Sequence, residues 1–360
     1  MRRLAAGVLS LAVAGILLAG CSPAPASDDS PLSAASPAPS RSTVSAGDPD
    51  LPAMPPTPAP SAVVDDAAAD DAGERLRALV GDAGRPAEVA LLGDSFAAGE
   101  GAGSYQPVRG VADSLCHRSA DALLADAAGT PPSPPGTAIL HNLACSRARM
   151  SSVTAAQAVE GHGPEGVPAQ LEQLAGIRPD LVLLSIGGND LGFAGLLQAC
   201  VVDTEPCGQD PALRETTRQQ LLQLQAPLTD VYRTLGAATP APVLVLPYPR
   251  LFDAGAEDCG RLSSTELAFG LEITDALNST IERSVQAANL PNVRYVNALE
   301  DSFAGRGACS PDPLVNTARF GPLLNAATSV PASQEVLHPT QEGYRVLTRD
   351  LLRWLEENPM

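Results

Sequence analysis

The chain is predicted to fold as an α/β domain, a three-layer α/β/α arrangement around a mainly parallel sheet. Two observations predict it. Short runs such as Val89-Ala90-Leu91-Leu92, Leu181-Val182-Leu183-Leu184 and Val243-Leu244-Val245-Leu246 are apolar along their whole length. Strands that alternate apolar and polar residues have one wet face, whereas these have none, so both faces of the sheet are covered. Long stretches with helical spacing separate the runs, and strands alternating with helices give parallel pairing through crossovers.

The elements follow in order. Residues 1–20 read as a targeting segment: Arg2 and Arg3 precede an apolar stretch too short for a confident membrane span. Leu18-Ala19-Gly20-Cys21 then reads as a lipobox, with Cys21 the lipidated residue. Residues 21–64 form a disordered tether rich in Pro, Ala, Ser and Asp. Eleven of the 39 positions from 22 to 60 are proline, and such a segment buries too little apolar surface to offset its ordering entropy. At roughly 3 Å per residue it reaches on the order of 100 Å. Residues 65–86 are a lead-in containing a marginal helix, with Leu76, Leu79 and Val80 at helical spacing.

The main domain is expected over 87–358. Its strands are Glu88–Leu92, Asp180–Ile186, Val243–Leu246 and a weaker Val293–Val296. Its helices are Gln170–Ala175, Asp210–Leu235, Ser264–Ala288 and a closing helix over 341–357, with Tyr344, Leu347, Leu351 and Trp354 on one side.

Composition narrows the function. The formal net charge of −18 over 360 residues argues against nucleic-acid binding, since nothing here would neutralise phosphates. There are seven cysteines, an awkward number for an exported protein. Giving Cys21 to a lipid leaves Cys116, Cys145, Cys200, Cys207, Cys259 and Cys309, enough for three disulfides, and six cysteines allow 15 connectivities. No Cys-x-x-Cys and no histidine cluster is present, so no metal is expected.

Chemistry concentrates at strand ends, where ligands bind in open α/β sheets. Gly93-Asp94-Ser95-Phe96 closes the first apolar run, and Gly187-Gly188-Asn189-Asp190 follows the second. Leu337-His338-Pro339 lies about 240 residues after the serine. A serine hydroxyl needs a base, and histidine is the usual one. Of the four histidines, His117 and His141 lie near cysteines and His162 in a glycine-rich loop; they read as packing or surface residues. Glu335, three positions before His338, is a carboxylate able to hold the imidazole tautomer. Asn189 offers a side-chain N–H where negative charge would develop. Asp94 fixes the turn around Ser95.

The pattern fails the G-x-S-x-G nucleophile elbow at residue 97, which is alanine. It resembles instead the SGNH, or GDSL, hydrolase family, whose sheet is flavodoxin-like, and within it the secreted actinobacterial lipase and esterase branch. The resemblance spans about residues 87–355. It rests on ordered blocks: Gly93–Ala102 (GDSFAAGEGA), Cys116–Ala120 (CHRSA), Asn142–Ser146 (NLACS), Ser185–Phe193 (SIGGNDLGF) and His338–Tyr344 (HPTQEGY). It implies Ser95 as nucleophile and His338 as general base. It implies an oxyanion hole from the Ser95 N–H, the N–H of position 147 and Asn189. It also implies sequential disulfides, Cys116–Cys145, Cys200–Cys207 and Cys259–Cys309.

Two positions depart from the family pattern. Arg147 stands where relatives carry glycine; if that backbone has positive φ, the arginine costs roughly 1 kcal/mol. Its side chain would crowd the acyl pocket or attract an anionic substrate. Glu335 replaces a common aspartate; should it fall short, a backbone carbonyl of the same loop would orient the ring. Together the lipobox and the resemblance lead us to expect a lipid-anchored serine esterase or lipase outside the cytoplasm, acting on an ester or lipid substrate as a monomer with no cofactor. Alternatives are an esterase or acyltransferase for acetyl groups on envelope glycans, and a binding lipoprotein that kept the fold with little turnover. Residues 310–334, just before the base, read as a rim or lid.

Overall fold

Strands β1 (Glu88–Gly93), β2 (Ala128–Gly129), β3 (Ala138–Asn142), β4 (Leu181–Ser185), β5 (Val243–Val245) and β6 (Val293–Tyr295) make one sheet in a computed structural model of the chain. Every pairing is parallel and the spatial order is β2-β3-β1-β4-β5-β6. The structure describes residues 69–81, 85–106, 115–129, 138–159, 165–193, 195–196, 207–256, 262–317 and 334–360. The signal segment, Cys21, the tether, Cys200, Cys259, His162 and most of the expected rim lie outside the described residues.

The sheet explains where a site forms. The chain lays β3 on one side of β1, then crosses to place β4 on the other. That reversal opens a crevice beyond the carboxyl ends of the central strands. Gly93 of β1 pairs with Ser185 of β4, so the turns that follow both strands start side by side.

Both faces of the sheet are covered, giving the three-layer α/β/α architecture. Val89 to Leu92, Leu181 to Leu184 and Val243 to Val245 are 0–1% exposed, which is why these strands lack polar alternation. Helices α1 (Ala69–Val80) and α8 (Gln341–Glu357) pack together, as do α6 (Pro211–Ala238) and α7 (Ser264–Ala288), while the short α3 (Met150–Thr154), α4 (Gln170–Leu174) and α5 (Gly188–Leu191) lie before and after β4 in the chain. Their ends are written in the sequence. Asp210 caps α6 through the Ala212 N–H at 2.8 Å, with Pro211 in the first turn. Ser263 and Glu266 form a capping box for α7, which stops at Asn289 in a left-handed conformation. Thr340 caps α8 through the Gly343 N–H.

Helix α1 is better anchored than its acidic composition suggests. Leu76 is fully buried, and Arg75 reaches Glu356 of α8 at 2.6 Å. Strands β2 and β3 were not expected; β3 carries His141 and Asn142, and β2 is only two residues long.

Candidate active site

The turn after β1 is set by sterics. Gly93 has φ +129, and a Cβ there would lie 2.0 Å from the Ser185 carbonyl oxygen, so only glycine fits. Gln170, 2% exposed, accepts the Gly93 N–H and donates to the Gly93 carbonyl, both at 2.8 Å. Asp94 donates its N–H to Ser185 O at 3.0 Å, and its carboxylate accepts the Phe96 N–H at 3.1 Å. That cap starts a one-turn helix, α2 (Ser95–Ala98), which ends at Gly99 in a left-handed conformation. Ser95 thus occupies the first helical position, 9% exposed, where a backbone N–H has no partner within the helix.

His338 Nε2 lies 2.8 Å from Ser95 Oγ. The loop carrying it is held by Asn316. The Asn316 N–H donates to His338 O at 2.8 Å, Leu337 N–H donates to Asn316 O at 2.8 Å, and the Asn316 side chain donates to Gly101 O at 2.9 Å. Gly101 has φ +92 and packs on this loop; a Cβ there would approach Pro339 O to 2.6 Å and His338 Cβ to 2.9 Å. Leu337 itself is held at φ +65, a conformation strained for leucine. The Phe96 ring is 4.9 Å from the imidazole, tilted at 40°.

Glu335 does not reach the imidazole as expected. Its carboxylate accepts the Tyr105 O–H at 2.6 Å, and its backbone carbonyl accepts the His338 N–H at 3.0 Å. The phenol is a strong donor held in place by a 2.9 Å bond from the Gly101 N–H, and it takes the carboxylate. His338 Nδ1 has no hydrogen-bond partner, from carboxylate or carbonyl, among the described residues.

Two segments face the nucleophile turn from β3 and β4. Cys145 N–H donates to Gly93 O at 3.1 Å, which brings residues 146–149 alongside. Arg147 adopts φ +62, the conformation a glycine would take without strain. The N–H groups of Ser95 and Arg147 have no acceptor among the described residues. Asn189 donates one side-chain N–H to Ala148 O at 2.9 Å and keeps a second hydrogen on the same nitrogen. Asp190 accepts the Met150 N–H at 3.0 Å, so the Arg147 and Asn189 segments are tied to each other.

Behind these turns lie buried ionisable groups that motif spacing did not reveal. Tyr248, three residues past β5, donates to Asp94 Oδ2 at 2.5 Å and accepts the Gly188 N–H at 2.8 Å. Asn278 of α7 brackets its backbone, accepting the Tyr248 N–H and donating to the Tyr248 carbonyl. One phenol therefore joins the serine turn to the Asn189 turn. Burial pushes the Asp94 carboxyl up to about 7, against the pull of the Tyr248 and Phe96 hydrogen bonds. Burial acts upward on Glu100 too, but the His338 charge, His117 and Ser146 hold it below the usual carboxylate range. His117 Nδ1 is 3.1 Å from Glu100 Oε1, the Ser146 hydroxyl donates to Glu100 Oε2, and Tyr105 stacks on His117 at 4.9 Å. His117, read from sequence as a packing residue, is 3% exposed and lies against this buried carboxylate.

Cys116 and Cys145 form a disulfide, which carries the CHRSA segment to the Gly93 turn. Cys207 and Cys309 are each disulfide-bonded, and their expected partners Cys200 and Cys259 lie outside the described residues. Among the described residues no group of three His, Cys, Asp or Glu is placed to hold a metal ion, and no helix is long and apolar enough to cross a membrane. A hydroxyl on an imidazole nitrogen, beside two unengaged backbone N–H groups and a carboxamide, suits nucleophilic attack on a carbonyl and stabilisation of the resulting oxyanion.

Known proteins share this frame. The model of the GDSL-like lipase/acylhydrolase family matches residues 91–346. Lipase 1 of Streptomyces coelicolor is 30% identical over 257 residues, covering 70% of this chain and 80% of that one. The lipase of Streptomyces rimosus is 29% identical over 258 residues, covering 71% and 82%. Among solved structures, the extracellular lipase from Streptomyces rimosus superposes with a TM-score of 0.56 at 27% identity, over 75% of this chain and 99% of that one. Phospholipase A1 from Streptomyces albidoflavus gives 0.55 at 28% identity, over 76% and 99%. The chain belongs to the GDSL-like lipase/acylhydrolase family and is an ester-hydrolysing enzyme.

Proposed function

We propose that the chain is an exported serine esterase or lipase, tethered to the outer face of the cell membrane, that cleaves carboxylic esters through an acyl-enzyme. The observation that carries this reading is the 2.8 Å contact between Ser95 Oγ and His338 Nε2 at the carboxyl edge of the sheet. Nε2 accepts the serine proton as Oγ attacks the ester carbonyl. The Ser95 and Arg147 N–H groups and the free hydrogen of Asn189 receive the oxyanion. His338 then protonates the leaving alcohol and activates the water that releases the acid. Glu100, buried behind the serine turn, holds the Ser146 hydroxyl and faces His117. Glu335 serves through its backbone carbonyl and Tyr105, which steady the loop.

In this reading residues 1–20 are a lipoprotein signal, Cys21 carries the lipid, 21–64 is the tether, 65–86 the lead-in and 87–358 the catalytic domain. The enzyme acts as a monomer without a cofactor. The likeness to a lipase and to a phospholipase A1 supports an ester or lipid substrate.

A fluorophosphonate probe tests the chemistry. The protein is expected to label, and Ser95→Ala to abolish both labelling and cleavage of p-nitrophenyl butyrate; labelling that survives Ser95→Ala refutes the assignment. Metabolic palmitate labelling lost in Cys21→Ala tests the anchor, and label retained in that variant rejects it.

A further inference from the structure

Arg147 and Arg149 are exposed and line one cleft of about 300 Å³. Ser146, Ser151, Ser152 and Gln157 supply further polar lining, and Gln334 stands at its edge, four residues before His338. The cleft is linked to the nucleophile turn through Ser146. Ser146 donates to Glu100, whose N–H donates to Ser95 O at 3.0 Å.

The two guanidiniums differ from several other arginines of the domain. Arg214 pairs with Glu272, Arg306 with Asp312, and Arg250 with Asp275, Glu300 and Asp301. Half-buried Arg118 donates to the Ala144 and Leu143 carbonyls. Among the described residues Arg147 has no ion pair or side-chain hydrogen bond, and the Arg149 side chain has only a charge interaction with Asp190, a carboxylate already bonded to the Met150 N–H. The Glu100 oxygens face His117 and Ser146. One cation without an acidic partner among the described residues, and a second shared with Asp190, thus line a cleft of a chain whose formal charge is −18. Arg147 is also held at φ +62, where glycine would be unstrained.

We propose that this cleft is an anion subsite. The Arg147 and Arg149 guanidiniums receive a phosphate or carboxylate group carried by the ester substrate close to its scissile carbonyl. Guanidinium forks bind such oxygens in paired, charge-assisted hydrogen bonds. The local charge also offsets the repulsion an anion meets from an acidic body. The proposal rests on the assignment of Ser95 as nucleophile and adds the substrate's charge.

Two matched ester pairs test it. 1,2-Dibutyrylglycerol 3-phosphate against 1,2-dibutyrylglycerol places the anion on the alcohol side. The 4-nitrophenyl monoester of adipate against 4-nitrophenyl butyrate places it on the acyl side. The native enzyme is expected to favour the anionic member of one pair, which names the side. Arg149→Ala and Arg149→Glu are expected to lower the anionic-to-neutral ratio of kcat/KM about tenfold or more, chiefly through KM, and added salt to lower it further. Calorimetric titration of the Ser95→Ala protein with dibutyrylglycerol phosphate and with adipate monobutyl ester reads the subsite without turnover, so it stands apart from the nucleophile assignment. Ratios and binding unchanged by both Arg149 substitutions overturn the proposal. Loss of all ester cleavage with anion binding still dependent on residue 149 overturns the hydrolase reading instead.

Discussion

Asp94 should make the stability of this enzyme depend on pH in an unusual direction. Its carboxyl is 1% exposed, bonded to the Phe96 N–H and the Tyr248 hydroxyl, and burial raises it from 3.8 to about 7. Between roughly pH 4 and 7 the folded protein holds a proton that the unfolded chain has released. Stability therefore falls as pH rises through this window and levels off above it. A rise of about three units corresponds to about 4 kcal/mol, at 1.36 kcal/mol per unit. Asp94→Asn keeps an oxygen for the Phe96 N–H but does not titrate. Urea denaturation of both proteins every half unit from pH 4 to 8 isolates the effect, because every other titrating group is shared. The native-minus-variant difference in unfolding free energy should drop by about 4 kcal/mol across the range. A difference that stays within 1 kcal/mol, or that climbs, refutes the reasoning: the carboxylate would then be stabilised by its two donors despite burial.

Arg147→Gly should stabilise the fold by about 1 kcal/mol, because φ +62 is strained for arginine and not for glycine. The thermal midpoint should rise by about 2–4 °C; a fall would show that the side chain makes contacts worth more than the strain. Tyr248→Phe leaves the buried Gly188 N–H without its acceptor and Asp94 without one of its two donors. We expect kcat on p-nitrophenyl butyrate to fall about tenfold with KM nearly unchanged; an unchanged kcat would mean that the two turns hold their places without the phenol. Replacing Cys116 and Cys145 together by alanine opens a 29-residue separation, and urea unfolding should show a loss of about 3–4 kcal/mol. A loss below 1 kcal/mol would mean that the closed loop constrains the unfolded chain little.

What could be read from sequence was whatever depends on neighbours in the chain. Strands β1, β4 and β5 announce themselves because both their faces are buried. Helices α7 and α8 have the bounds expected, since their caps and apolar stripes are local. Strand β3 was missed because it carries His141 and Asn142, whose side chains serve Glu88 and the Ala98 carbonyl. Ser95, Asn189 and His338 stood out because two follow apolar runs and the third sits in a short restrained motif. Glu335 misled for the opposite reason. Its partner Tyr105 lies 230 positions away, and nothing near His338 hints at that phenol. Tyr248 left one clue, its place just beyond the end of β5, where an open parallel sheet concentrates function. The backbone angle of Arg147 was foreseeable only as a condition, since φ is a property of the folded turn.

Asn316 has a consequence for how this enzyme can diversify. Val315 bridges Pro339, and Asn316 bonds to both Leu337 and His338, so the chain departs toward residue 318 and returns at 334 through one stapled gate. Anything inserted or deleted beyond that gate alters a loop-closure entropy that grows only slowly with length, while the imidazole stays where Ser95 needs it.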